Sequence, residues 1–273
     1  MIERVSGYDG VELELGDAEP ATAPAIAHVD DMIARRALGE PLQYVLGEWQ
    51  FLGLDLLVDR RVLVPRPETE VVAQAAIEEA VRLGARRGGP DAWSTANASF
   101  VSVDLGTGSG ALALALVTEL PEALVWATDV SDASLAVARA NLAGAGSSAA
   151  RVRLVHGSWF EALPGELRGT LRLIVSNPPY IAEHEVGSLP REVVEWEPYS
   201  ALVSGPTGME AIEAIVGEAP SWLDGEGSVL VVEVAPHQAD EATGRARAAG
   251  FADVRVGKDL AGRDRVLVAR IGG

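Results

Sequence analysis

The 273-residue sequence contains no cysteine, which excludes disulfides and thiolate chemistry and removes the usual ligands of structural zinc. Lysine is almost missing: Lys258 stands alone, and arginine supplies the rest of the positive charge. Positive charge is scarce altogether, with 22 basic residues against 40 acidic and a net charge of -18. A nucleic acid is a dense line of phosphates that calls for a cationic surface, so no direct nucleic-acid partner is expected; surface acid keeps a protein soluble. No apolar run approaches a membrane span. The first 17 residues are acidic and lack the apolar centre of a signal peptide, so no membrane association is predicted and a cytoplasmic location is expected. The four histidines (His28, His156, His184, His237) are scattered without metal-ligand spacing, and no serine occupies a G-x-S-x-G elbow. No metal site is expected.

What is present is apolar mass. Hydrophobic residues make up 48% of the chain and mean hydropathy is +0.15, enough to build a substantial core and to exclude disorder as a reading of the whole chain. Residues 1–23 carry glycine, proline and acid without a period and are expected to be loosely packed. The spacing of Ile26, Val29, Ile33 and Ala37 predicts a helix over 24–38, stopped by Gly39-Glu40-Pro41. Residues 44–58, with apolar segments around Gly47 and Gly53, read as a β-hairpin. The Pro65-Arg66-Pro67-Glu68-Thr69-Glu70 segment leads into a helix over 69–83 with acid in its first turn, as the helix dipole favours. Residues 84–99 read as a loop or linker.

Beyond the linker, buried-strand patterns alternate with helical ones. Strands are predicted near 100–105, 124–128, 152–155, 171–175 and 228–234, and helices near 111–119, 133–143, 209–223 and 238–249. Two more strands, 253–256 and 265–270, close the chain. The predicted fold class is α/β, a mostly parallel seven-stranded sheet with helices on both faces and an antiparallel strand at or near one edge. The expected division is a short helical segment and hairpin over 1–64 and the sheet domain over 65–273.

Two loops carry the chemistry. Gly106-Thr107-Gly108-Ser109-Gly110 leaves the first sheet strand and enters an apolar helix. Glycines there let the backbone approach a ligand closely, at the strand ends where open α/β sheets bind ligands. The spacing is G-x-G-x-G, not the G-x-G-x-x-G of dinucleotide enzymes. Asp129, ending the next strand, is placed to accept both ribose hydroxyls of a nucleoside; the plain alternative is a tight turn with Asp129 capping a helix.

Asn177-Pro178-Pro179-Tyr180 leaves the strand over 171–175 at the same sheet edge. Two prolines remove two N–H donors and stiffen the turn. An amide nitrogen is a feeble nucleophile because its lone pair is delocalised. Two acceptors, the Asn177 side-chain oxygen and the Pro178 carbonyl, can hold its two N–H groups and aim it at an electrophilic methyl. Tyr180 can cover the flat amide. No titrating base is needed, so a rate nearly flat from about pH 6 to 9 is expected.

These segments together resemble the release-factor glutamine N5-methyltransferases, a family of class I methyltransferases with a Rossmann-like fold. The resemblance is carried by Arg35-Arg36, Gly39-Glu40-Pro41, Leu46-Gly47, Phe51, Gly53-Leu54, the Pro65 to Glu70 run, the Asp104 to Gly110 loop, Asn177 to Tyr180, Glu197-Pro198 and Asp259 to Asp264. It implies methyl transfer from S-adenosyl-L-methionine to the glutamine of a Gly-Gly-Gln loop in peptide chain release factors. By position it assigns Gly106, Thr107, Gly108, Ser109, Gly110, Asp129, Trp159 and Asn177 to the cofactor, Trp159 as a cover for adenine. It assigns Asn177, Pro178, Pro179 and Tyr180 to the substrate amide and to catalysis, and places Arg66, Glu68 and Thr69 around the pocket; Glu197 has no assigned role. Family members usually carry a longer N-terminal helical domain than the 34 residues preceding Arg35. A paralogue methylating another protein's glutamine, or an adenine N6 methyltransferase, is the alternative. A monomer is expected.

Overall fold

The computed structural model describes residues 1–6, 21–85 and 100–272, so the expected linker over 84–99 lies almost wholly outside the described residues. The chain opens with a short helix, α1 (Ile2–Ser6), where the sequence predicts no regular element. Helix α2 (Ala23–Ala37) is capped by Thr22, whose hydroxyl accepts from the Ala25 amide, and it ends before Gly39 at φ +94°.

The hairpin prediction needs a correction. Residues 42–46 form a helix, α3 (Leu42–Leu46), and only β1 (Glu48–Phe51) and β2 (Leu54–Leu57) pair as strands. Pro41, with an extended ψ of 138°, stands just before the helix, and Gly47, at φ +76°, ends it. Arg35 holds its exposed carbonyl end: the guanidinium donates to the Tyr44 and Val45 carbonyls and pairs with Glu40 at 2.6 Å. Tyr44, taken from the sequence as a strand residue, is buried with its hydroxyl on the Val62 carbonyl.

Helix α4 (Pro67–Arg82) leads to the sheet. The remaining elements are β3 (Phe100–Leu105), α5 (Ala111–Glu119), β4 (Ala123–Asp129), α6 (Asp132–Gly144), β5 (Val152–His156), β6 (Leu173–Ser176), β7 (Ile181–Ala182), α7 (Arg191–Trp196), α8 (Tyr199–Leu202), β8 (Val203–Gly205), α9 (Glu210–Glu218), β9 (Val229–Glu233), α10 (Ala239–Ala248), β10 (Phe251–Lys258) and β11 (Asp264–Ile271). The seven-stranded sheet runs β10-β11-β9-β6-β3-β4-β5, and β11 is antiparallel to both neighbours.

Period two decides the two cores. Leu173 and Val175 of β6 and Val229 and Val231 of β9 face α4 and α5, together with Phe51 and Leu56 of the hairpin. Ile174, Leu230 and Val232 face the opposite side, against α9, α10 and Trp222. Strands β6 and β9 are buried along their whole length, as expected for strands covered on both faces. The edge strand β10 alternates with exposed positions.

Strand β3 sits between β4 and β6, so the chain reverses its direction of travel across the sheet at β3. That reversal opens a crevice at the carboxyl ends of β3 and β6, from which the glycine loop and the Asn177 turn emerge side by side.

Candidate active site

The glycine loop is held by the strand beside it. The Gly106 and Thr107 amides donate to the Thr128 carbonyl at 2.9 and 2.8 Å, and the Gly108 amide donates to Asp129 Oδ2 at 2.8 Å. Gly106, Gly108 and Gly110 all adopt positive φ, from +55° to +85°, where a side chain is strained. Gly106 has a second reason to be glycine: a Cβ there would lie 3.2 Å from the Trp159 ring. Gly110 caps α5 and packs on Ala138, so it shapes the loop from behind.

Asp104 anchors the loop from below. Its Oδ2 accepts from the Thr107 hydroxyl at 2.6 Å and from the Ala113 amide, while Oδ1 is buried with no partner. Burial, assisted by the nearby Asp129, pushes its carboxyl up to about 7. Asp129 accepts from the Gly108 and Ser131 amides with one oxygen each, yet burial still raises its pKa. Asn141, which the sequence does not single out, ties the loop to the hairpin. Its amide donates to the Ser109 and Leu57 carbonyls, and its oxygen accepts from the Leu57 amide at 2.7 Å.

A cavity of about 250 Å³ opens here, lined by Gly106 to Ser109, Asp129, Trp159, Asn177 and Pro179 and closed by Pro65, Thr69 and Pro198. Of the positions read from the sequence, Gly110, Pro178 and Tyr180 are not among the lining residues. Pro178 is buried beside the cavity. Tyr180 turns its hydroxyl to Glu233 Oε1 at 3.3 Å, and burial beside that carboxylate raises its pKa.

The turn is fixed by residues far away in the chain. Asn177 Nδ2 donates to Thr69 Oγ1 at 3.0 Å, and that hydroxyl donates to Glu233 Oε2 at 2.7 Å. Gln238 Nε2 donates to the Tyr180 and Gly208 carbonyls. Sequence reasoning misses Glu233 and Gln238; their signal, a polar residue ending an apolar strand and another in the turn after it, is legible only once they are known to be buried. Arg66 pairs with the buried Glu197 at 2.6 Å; burial pushes that carboxyl up and the guanidinium opposes it. Glu68 pairs with Arg263 at 2.8 Å, which in turn holds Asp259. The Pro65 to Glu70 run therefore holds Glu197 through Arg66 and the Asp259 to Asp264 loop through Glu68. His184 is exposed.

Comparison with known proteins gives two family matches: the methyltransferase small domain over residues 94–195 and the PrmC N-terminal domain over residues 1–47. The chain is 38% identical to the release factor glutamine methyltransferase of Geobacter sulfurreducens over 272 residues, covering 100% of this chain and 88% of that one. It is likewise 38% identical to the protein of the same name from Cereibacter sphaeroides, covering 99% and 89%. Among solved structures, a methyltransferase from Pyrococcus furiosus matches with a TM-score of 0.56 at 19% identity, over 92% of this chain and 100% of that one, a likeness of fold.

Proposed function

Because the chain belongs to the release factor glutamine methyltransferase family, we propose that it methylates the side-chain nitrogen of a protein glutamine, the Gly-Gly-Gln glutamine of peptide chain release factors. The observation that carries this reading is the Asn177 amide: its nitrogen is engaged by Thr69, so its oxygen is left as an acceptor beside the glycine loop.

The cavity fits S-adenosyl-L-methionine. Glycines at positive φ form a cradle, and Asp129 and the Trp159 ring line the same space. Gly106 to Gly110 and Asp129 would hold the nucleoside, with Trp159 over the adenine. When bound, the cofactor supplies a methyl group on a positively charged sulfur.

The protein's own groups then act by position. Asn177 Oδ1 and the Pro178 carbonyl accept the two N–H groups of the substrate amide, which aims its nitrogen and stabilises the positive charge that develops on it. Pro179 lines the cavity and excludes water from the amide; Tyr180, expected from the sequence to cover it, turns its hydroxyl to Glu233 instead. The nitrogen gains the methyl carbon as the methyl–sulfur bond breaks, the bonding pair going to the sulfur and neutralising it; the nitrogen then sheds one proton, and an N-methylated amide cation is acidic enough for water to take it.

Incubating the protein with methyl-labelled S-adenosylmethionine and purified release factor, then mapping the labelled peptide, tests the reading. Label on the Gly-Gly-Gln glutamine supports it. Label on nucleic acid and none on release factor overturns it, and label on another protein's glutamine keeps the chemistry and replaces the partner.

A further inference from the structure

Glu233 ends β9 with its side chain enclosed, 1% exposed. Three charged or titratable groups and one hydroxyl face it. Glu68 comes from α4, which also presents the Thr69 hydroxyl; Tyr180 comes from the turn after β6; Arg265 comes from β11. Arg265 is itself close to Asp259, at 3.7 Å. None of these groups lies in the cavity except Thr69, so a direct part in methyl transfer is not what Glu233 is placed for.

Hydrogen-bond direction gives it another one. A carboxylate accepts and cannot donate, so the Thr69 hydroxyl must point its only proton at Glu233, as the 2.7 Å contact requires. With that proton committed, Thr69 Oγ1 can only accept from its other neighbour. The group that faces it from Asn177 must then be the N–H end, which is what lies there at 3.0 Å. The opposite end of the amide, Oδ1, is turned away from Thr69. A charge on Glu233 thus becomes a direction at Asn177, two hydrogen bonds away.

We propose that Glu233 is a positioning residue that acts through Thr69 to fix which end of the Asn177 amide is presented to the substrate. The inference rests on the reading of Asn177 as the acceptor for the substrate amide. If Glu233 takes up a proton it can donate to Thr69, which is then free to donate to Asn177 Oδ1. The Asn177 amide can flip, and an N–H group facing the N–H of the substrate repels it. The expectation of a flat pH profile therefore gains an acid limb. Burial, the largest influence on Glu233, raises its pKa against the opposing Thr69 and Tyr180 hydrogen bonds and the Arg265 charge. The limb therefore lies above the ordinary glutamic acid value of about 4.3.

The test follows the side-chain amide signal of Asn177 by nitrogen-15 NMR in the full ligand-free chain, from about pH 4 to 8, a span that brackets the ordinary glutamate and histidine values. The signal is assigned by its disappearance in Asn177→Ser. In wild type and in Thr69→Ser, which keeps the hydroxyl, it should titrate with an inflection above the ordinary glutamate range. In Thr69→Val and Glu233→Gln it should not follow that inflection. A wild-type signal independent of pH, or an inflection that survives in Glu233→Gln, overturns the proposal. Should Thr69→Val fail to fold, visible as lost amide dispersion, wild type and Glu233→Gln still decide.

Single-turnover methyl transfer at saturating S-adenosylmethionine gives the second readout. Wild type should show an acid limb with the same inflection. Thr69→Val should lack it and run on the order of tenfold slower, the worth of one hydrogen bond. Asp104 also titrates, but Thr69→Val leaves it untouched, so a limb that persists in Thr69→Val belongs to Asp104 and counts against Glu233. If release factor accepts no methyl at any pH, the substrate reading fails, while the amide titration still judges the proposal.

Discussion

Ser176 Oγ donates to the Leu105 carbonyl at 2.7 Å, and both residues are fully buried. Leu105 is the last residue before the glycine loop and Ser176 the last before Asn177, and they are register partners across β3 and β6. This bond ties the roots of the two functional loops together. Ser176→Ala should cost about 1 kcal/mol of stability, as one neutral hydrogen bond is worth, read by urea denaturation. It should also lower methyl transfer more than it lowers cofactor affinity, because the relative placement of the loops is what it controls. A variant with wild-type stability and rate would show that backbone pairing alone aligns them.

Asp104 supplies a pH dependence of stability with an unusual sign. Its folded pKa of about 7 stands above the usual aspartate value of about 4, so between those values the folded chain binds a proton that the unfolded chain does not. Stability in the absence of ligand should then fall as pH rises through that window. Urea denaturation across the window should show the decline in wild type and a flatter profile in the isosteric Asp104→Asn. Equal slopes in the two proteins would remove Asp104 as the source.

Glu79 behaves in the opposite way. It is buried on α4 and accepts from Arg82, Arg255 and Arg270, and those bonds outweigh its burial to hold its carboxyl down at about 2. A depressed pKa contributes stability that is present above the unfolded value of about 4.3 and lost as pH falls toward 2. Replacing it by Gln leaves three guanidinium groups without their shared anion; Arg82 and Arg255 are largely solvated, so the cost is about 1–2 kcal/mol. The loss should appear in thermal denaturation at neutral pH and shrink in acid. Wild-type stability in Glu79→Gln would mean that the arginines find other partners.

The sheet was legible because its strands are short apolar runs between turn residues. β3 and α5 fall where periodicity puts them, at 100–105 and 111–119. Residues 42–46 were not legible as helix, since five residues show too little of any period. What decides them is Arg35, which reaches their carbonyls from a different element. The glycine loop and the Asn177 turn announce themselves because their chemistry is local. Glu233, Asn141 and Gln238 do not, because each acts on a segment 30 or more residues away in sequence. One polar residue in an apolar stretch carries no mark of its partner.

Asp129 has two duties in one carboxylate, and they can be separated. Its oxygens accept from the Gly108 and Ser131 amides, which organises the glycine loop and the start of α6, and the residue lines the cavity, where ribose hydroxyls would donate. Asp129→Ala removes both functions and should cost about 1.5–3 kcal/mol of S-adenosylmethionine binding, the range for hydrogen bonds to a charged group. Asp129→Asn distinguishes the duties. Its amide has one acceptor oxygen, so its N–H end must face either the Gly108 or the Ser131 N–H, and two donors repel. If loop organisation dominates, Asn should bind as poorly as Ala and unfold at a lower temperature than wild type. If ribose contact dominates, Asn should retain part of the affinity, since an amide still offers one acceptor to one hydroxyl. Calorimetry on both variants, with thermal unfolding as the companion measurement, separates the cases. Unchanged affinity in a folded Asp129→Ala would remove the residue from the cofactor site altogether.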